Sequence, residues 1–182
     1  MNVWKKFADF LMGNSEKQVK VRSSFDPNQK QPDPMNDLSK ILDENRIIID
    51  VEADTKERAL KYLANLAQHL DGDVDAEAVY VKLLMRESQS STVLGDGIVM
   101  PHIQDKSIDH LQMYVLKLAQ PIVWDDQPST EIVLALLSPK PEKHYEHVSY
   151  MSTIARLLLR KGFIVTLKSA STKEVIFKLF KK

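Results

Sequence analysis

Three side chains in this sequence could act together on an anion: an imidazole behind a proline at Pro101-His102, a guanidinium at Arg86, and a second imidazole at His147. The segment from Arg86 to His102 ends a helical pattern, crosses a polar turn punctuated by Gly95 and Gly97, and delivers the histidine directly after the proline. Proline fixes its own φ and biases Met100 toward an extended backbone, so the sequence predicts His102 on a stiff loop. A neutral imidazole near pH 7 keeps one nitrogen lone pair free to attack. A planar guanidinium beside it suits phosphate oxygens or a partner's carboxylate. Ser91 and Thr92 lie in the same segment and could cap, turn, or donate hydroxyls to a bound phosphate.

Each residue also has an ordinary structural role open to it. A lone histidine is usually hydrogen-bonded surface or core. An arginine in a last helical turn can serve the terminal carbonyls and the dipole. His144 and His147 could share a helix face, but no acidic residues cluster near them in a metal-binding pattern, so no metal or cofactor is expected. His69 and His110 read as surface residues. No Gly-x-Ser-x-Gly elbow and no Walker-type glycine loop is present, which argues against serine hydrolysis and direct nucleotide use.

The elements that must position these groups are legible in the hydrophobic pattern. Residues 1–13 carry Val3, Trp4, Phe7, Phe10 and Leu11 at helical spacing. This short amphipathic helix would pack on its own domain or a second copy, or dock a partner. Membrane-surface attachment is disfavoured by its short length and few cations. Residues 14–37 are polar, contain Pro27, Pro32 and Pro34, and read as a flexible linker. The compact domain is expected over 38–182.

Within that domain, Ile47–Ile49 reads as a strand. Asp54 and Glu57 suggest a capping-box start to a helix carrying Leu60, Leu63, Leu66, Ala67 and Leu70. A second helix from about 73–75 carries Val79, Tyr80, Leu83 and Leu84, with Arg86 and Glu87 in its last turn. Short extended pieces are expected near Val93 and at 98–100. Met113–Leu118 and the nearly continuous apolar run Ile132–Leu137 read as strands, the second central and covered on both faces. A helix from about 144 to 160 places His147 in its first turn, 163–167 is ambiguous, and Ser171 with Glu174 suggests the cap of a final helix with Val175, Ile176, Leu179 and Phe180 inside. Strands interleaved with helices predict an α/β fold, a mixed central sheet sandwiched between helical layers.

Composition narrows the function classes. Of 182 residues 43% are hydrophobic, enough for a core, and 25 basic residues balance 25 acidic ones. That balance argues against nucleic acid as the main partner, because such affinity comes from neutralising phosphates. There is no cysteine, hence no disulfide or thiolate site, which fits a reducing cytoplasm. No apolar run approaches the roughly 20 residues needed for a transmembrane segment, and the N-terminus lacks a secretory pattern.

Together the motifs resemble the IIA domain of the fructose/mannitol class (type 2) in the phosphoenolpyruvate-dependent sugar phosphotransferase system, including its nitrogen-regulatory branch. The resemblance rests on Arg86-Glu87, Ser91-Thr92, Gly95-Asp96-Gly97, the Ile98–His102 run, Pro121-Ile122-Val123-Trp124, the strand ending at Pro139, and His147-Val148. It implies that His102 takes a phosphoryl group from the phosphohistidine of an HPr-type carrier. The group then passes to a cysteine on a separate IIB protein or serves as a regulatory mark. Arg86 would pair with phosphate or a partner's acidic group, His147 would sit beside His102, and Thr92 could donate a hydrogen bond there. The alternative is a non-catalytic IIA-like module that binds partners without moving phosphate. Ile103, where many relatives carry a small residue, is expected to narrow access to the imidazole.

Overall fold

The computed structural model describes residues 35–140 and 146–181. The expected N-terminal helix, most of the linker, and His144 lie outside the described residues. Among the described residues, six strands and five α-helices follow two short 3-10 turns: β1 (Ile47–Val51), α1 (Lys56–Leu70), α2 (Ala76–Gln89), β2 (Val93–Gly95), β3 (Ile98–Val99), β4 (His102–Asp105), β5 (Gln112–Trp124), β6 (Gln127–Pro139), α3 (Glu146–Leu158), α4 (Phe163–Ser169) and α5 (Lys173–Phe180).

The strands form one mixed sheet in the order β1-β5-β6-β3-β2. β5 and β6 make a long antiparallel hairpin, β1 runs parallel to β5, and β3 runs parallel to β6. β4 also pairs parallel with β6, His102 opposite Leu136 and Asp105 opposite Pro139, so β3 and β4 follow one another along the same edge. Leu136 donates its amide to the Pro101 carbonyl at 3.0 Å. His102 therefore opens a strand rather than sitting on a loop as predicted. The four-residue strand is secured by pairing with a segment more than thirty residues away, which local sequence does not reveal.

Alternate residues of β5 and β6 feed two apolar layers. Tyr114, Leu116, Val133, Ala135 and Leu137 pack with Leu60, Leu63, Val79 and Leu83 of α1 and α2. Met113, Val115, Ile132, Leu134 and Leu136 pack with Met151, Ile154, Phe163, Leu167, Ile176 and Phe180 of α3 to α5. The sheet is thus covered on both faces, as the apolar run of β6 predicts. The ambiguous 163–167 segment is helical, and its Phe163 meets Phe180 edge to face at 5.4 Å.

Two helix starts lie one residue later than the sequence suggests. Thr55, not Asp54, caps α1 by accepting the Arg58 amide, while Asp54 pairs with the Arg58 guanidinium at 3.2 Å. Thr172, not Ser171, caps α5 by accepting the Val175 amide. In both cases a β-branched hydroxyl already in extended backbone takes the N-cap. Val175 is exposed, and the inner stripe of α5 is the i, i+4 pair Ile176 and Phe180.

The turn between β2 and β3 has positive φ at Gly95, Asp96 and Gly97. At Gly97 (φ 72°) a Cβ would lie 2.8 Å from the Ser129 carbonyl oxygen. Gly97→Ala should therefore lower stability by about 1–3 kcal/mol, whereas Gly72→Ala, which meets open space, should not. Chemical denaturation of both variants checks this. Equal midpoints would contradict it.

Candidate functional site

Arg86 reaches the site because α2 ends beside β4. Its Nη1 donates to the Ser90 carbonyl at 2.8 Å, the structural task an arginine in a last turn can perform. Its Nε, on the same planar group, lies 3.3 Å from His102 Nε2 and donates to it. One guanidinium thus serves both the helix end and the imidazole. Burial pushes the Arg86 pKa down, partly offset by the neighbouring Glu87 charge.

The His102 ring is fixed at its other nitrogen. Nδ1 lies 3.1 Å from the Met100 carbonyl oxygen. A carbonyl can only accept, so Nδ1 carries the proton and Nε2 carries the lone pair. This tautomer also lets Nε2 accept from Arg86. Burial of the ring, the Arg86 charge and, less strongly, His147 push the His102 pKa down to about 4, against a smaller upward pull from the Met100 carbonyl.

A consequence follows with a definite sign. As pH falls, the unfolded chain protonates this imidazole near 6.5 while the folded chain resists until about 4. Stability contributed by the neutral ring is therefore present above about 6.5 and lost as pH falls from there to about 4. An NMR titration of His102 should show a midpoint near 4. A midpoint at the ordinary value of 6.5 would contradict the described geometry.

An open cavity of about 410 Å³ surrounds the ring, lined among others by Lys82, Met85, Arg86, His102, Lys140 and His147. His147 is the second residue of α3, so the helix start on one face of the sheet and the end of α2 on the other meet at β4. Lys82, one turn before Arg86, pairs at 2.5 Å with Asp105, whose side chain is buried. The lysine was not singled out from sequence, although its i, i+4 spacing from Arg86 places it on the same face. Ile103 lines the same cavity but is only 8% exposed and packs in the core with α1 and α2, so strand alternation sends most of this side chain inward.

Of the tasks open to Ser91 and Thr92, capping, turning or donating to a phosphate, the structure shows bonds to nearby carboxylates. Thr92 is fully buried, and its hydroxyl and amide both donate to the Glu87 carboxylate. The Ser91 hydroxyl bonds to Asp125, which in turn pairs with Lys56. Neither residue lines the cavity. Their hydroxyls hold the backbone that leads into the site. Glu87, named in the motif without a role, is 6% exposed and accepts a third bond from Trp124 Nε1 at 3.2 Å. Its spacing from Val79 and Leu83 marks it as part of the buried stripe of α2.

The comparisons place the chain in a family and bear out its fold. The family model described as "Phosphoenolpyruvate-dependent sugar phosphotransferase system, EIIA 2" matches residues 40–182. A nitrogen regulatory protein of Pseudomonas aeruginosa is 30% identical over 144 residues, 78% of this chain and 93% of that protein. The nitrogen regulatory protein IIA-Ntr of Neisseria meningitidis superposes with a TM-score of 0.72 at 23% identity, over 79% of this chain and 98% of that one. The fold is shared too with enzyme IIA mannitol of Escherichia coli, in a structure of its complex with phosphorylated enzyme IIB mannitol (TM-score 0.63, 19% identity, 76% and 96% coverage). A mixed sheet between helical layers, with an arginine and two histidines converging at one strand edge, accompanies a family match over most of the chain, and the protein belongs to the EIIA type 2 family of the phosphoenolpyruvate-dependent sugar phosphotransferase system.

Proposed function

We propose that this chain is a phosphocarrier that accepts a phosphoryl group on His102 Nε2 from the phosphohistidine of an HPr-type carrier. The observation that carries the proposal is the pair of contacts on one ring: Nδ1–H held by the Met100 carbonyl, Nε2 turned to Arg86 in an open cavity. The Nε2 lone pair forms the new N–P bond as the donor's N–P bond breaks. If the donor ring has its other nitrogen protonated, it departs as neutral imidazole, and no proton need move. His102 keeps its Nδ1 proton, so its ring becomes a cation, and the Met100 carbonyl stabilises that charge. The Nε–H of Arg86 leaves the nitrogen and follows the phosphoryl oxygens. His147 adds a second ring at the same cavity. Transfer of this kind is mostly positioning and charge stabilisation, and it needs no metal from these residues.

The onward step is either transfer to the cysteine of a separate IIB protein or retention of phosphate as a regulatory mark. The match along nearly the full length of a nitrogen regulatory protein favours the regulatory use. Either exchange would place the protein in the cytoplasm, and no helix among the described residues is long and apolar enough to cross a membrane. The test is incubation with enzyme I, labelled phosphoenolpyruvate and, separately, a sugar-branch and a nitrogen-branch HPr-type donor. Acid-labile, alkali-stable label retained in His147→Ala supports the carrier. An unlabelled wild type with both donors would favour a partner-binding module that moves no phosphate.

A further inference from the structure

Glu87 is an unusual residue for the last turn of a helix. Its carboxylate is buried and accepts three donors: the Thr92 amide at 3.2 Å, the Thr92 hydroxyl, and the Trp124 indole at 3.2 Å. Thr92 itself is fully buried and, through its carbonyl, accepts the Met100 amide at 2.9 Å. Met100 is the residue whose own carbonyl holds His102 Nδ1. Trp124 is fully buried at the far end of β5. A chain of bonds therefore runs from Trp124 to Glu87, to Thr92, to Met100 and to the imidazole. The neighbour of Glu87 in sequence, Arg86, closes the loop onto the other ring nitrogen.

Resting on the phosphocarrier reading, we propose that Glu87 is a positioning residue for transfer at His102: it ties the last turn of α2 to β2 and β5, and so holds Arg86 Nε against His102 Nε2. The role fits the chemistry of the bonds. Three donors to one carboxylate fix its orientation far more tightly than an exposed carboxylate would be fixed, and charge-assisted bonds are the strong class. Glutamine has the same shape, and its NH₂ can donate to the Thr92 hydroxyl, but the Thr92 amide and the Trp124 indole lose a charged acceptor, so the hold on the helix end loosens. A small shift at Arg86 matters, because transfer depends on aligned groups, and a misplacement of about 1 Å can cost about a hundredfold in rate.

A merely structural role would lower stability without acting through Arg86. The two cases separate in the titration of His102. Removing the Glu87 charge by itself would lower an imidazole pKa. Moving the Arg86 cation away raises it. A rise in Glu87→Gln therefore has the sign of a lost Arg86 contact and not of the lost carboxylate charge, and its disappearance in the Arg86→Ala background separates it from simple wetting of the ring.

The experiment uses the full chain with His102 followed by NMR, and phosphoramidate as a small phosphoryl donor that needs no protein partner. Wild type, Glu87→Gln, Arg86→Ala and the double variant are compared. In Glu87→Gln the His102 midpoint should move from about 4 toward 6.5, and phosphorylation should slow about tenfold or more. In the Arg86→Ala background the same change should add little, since the interaction it supports is gone. An unmoved midpoint in Glu87→Gln, or rate losses that simply multiply, would overturn the proposal. Trp124→Phe deletes one donor and keeps most of the ring packing, so it should move the midpoint the same way by less. If Glu87→Gln does not fold, that variant decides, and no movement counts against the role. Failure of the phosphocarrier reading looks different: the wild type then takes no phosphate from phosphoramidate or from either carrier.

Discussion

His102→Ala should fold normally and lose phosphoryl acceptance altogether, a fall of at least about a thousandfold with any donor. Alanine removes a cavity-facing nitrogen whose lone pair is set by a bond on the opposite side of its ring. His147 lines the same cavity but belongs to a different element, and the Arg86 Nε is aimed at His102, so His147 should not substitute. The ring faces the cavity rather than the apolar layers, and β4 pairs through its backbone, so stability at neutral pH should change little. The variant should also lose part of the acid sensitivity of the fold between about pH 6.5 and 4, because the group whose protonation the native state resists is gone. Quantitative labelling beside urea denaturation at two pH values checks both points. Full labelling of the variant would remove His102 from the mechanism.

Arg86→Ala should be the next most damaging change, lowering the transfer rate about 10²–10³-fold. In the proposed transfer the guanidinium meets the charge that accumulates on the phosphoryl oxygens, and its burial makes each contact stronger than it would be in water. Lysine should restore little, because a point charge cannot donate at once to the Ser90 carbonyl and to the imidazole side. The His102 midpoint should rise in both variants, more in alanine than in lysine. Single-turnover transfer combined with the ring titration measures this. A rate within threefold of wild type would show that the Nε–Nε2 contact has no part in transfer.

How much of this was legible in the sequence differs by element. β5 and β6 announce themselves through the apolar runs Met113–Leu118 and Ile132–Leu137, though not their extension into one long hairpin, and the end of α2 through its stripe and the glycines after it. The strand β4 does not, because His102-Ile103-Gln104-Asp105 is a polar tetrapeptide whose extended form depends on a partner far along the chain. The convergence of Arg86, His102 and His147 was suggested by family resemblance, since spacing alone cannot bring residues from α2, β4 and α3 to one cavity. Ser91 and Thr92 could cap, turn or donate to a phosphate, and sequence alone does not choose: short hydroxyl side chains in a turn satisfy whichever carboxylate lies nearest, and here those are Asp125 and Glu87. Glu87 could have been singled out. It continues the Ala76, Val79, Leu83 face of α2, and a carboxylate on an apolar stripe must find donors. Both helix caps slipped by one residue because two adjacent polar residues could each have served, and the choice lies in backbone geometry.

The most direct measurement is phosphorus–nitrogen NMR of the protein after transfer from a phosphohistidine donor. The geometry predicts one phosphohistidine, on His102, with phosphorus on Nε2 and the proton still on Nδ1. Phosphorus on Nδ1, on His147, or on no histidine would contradict it.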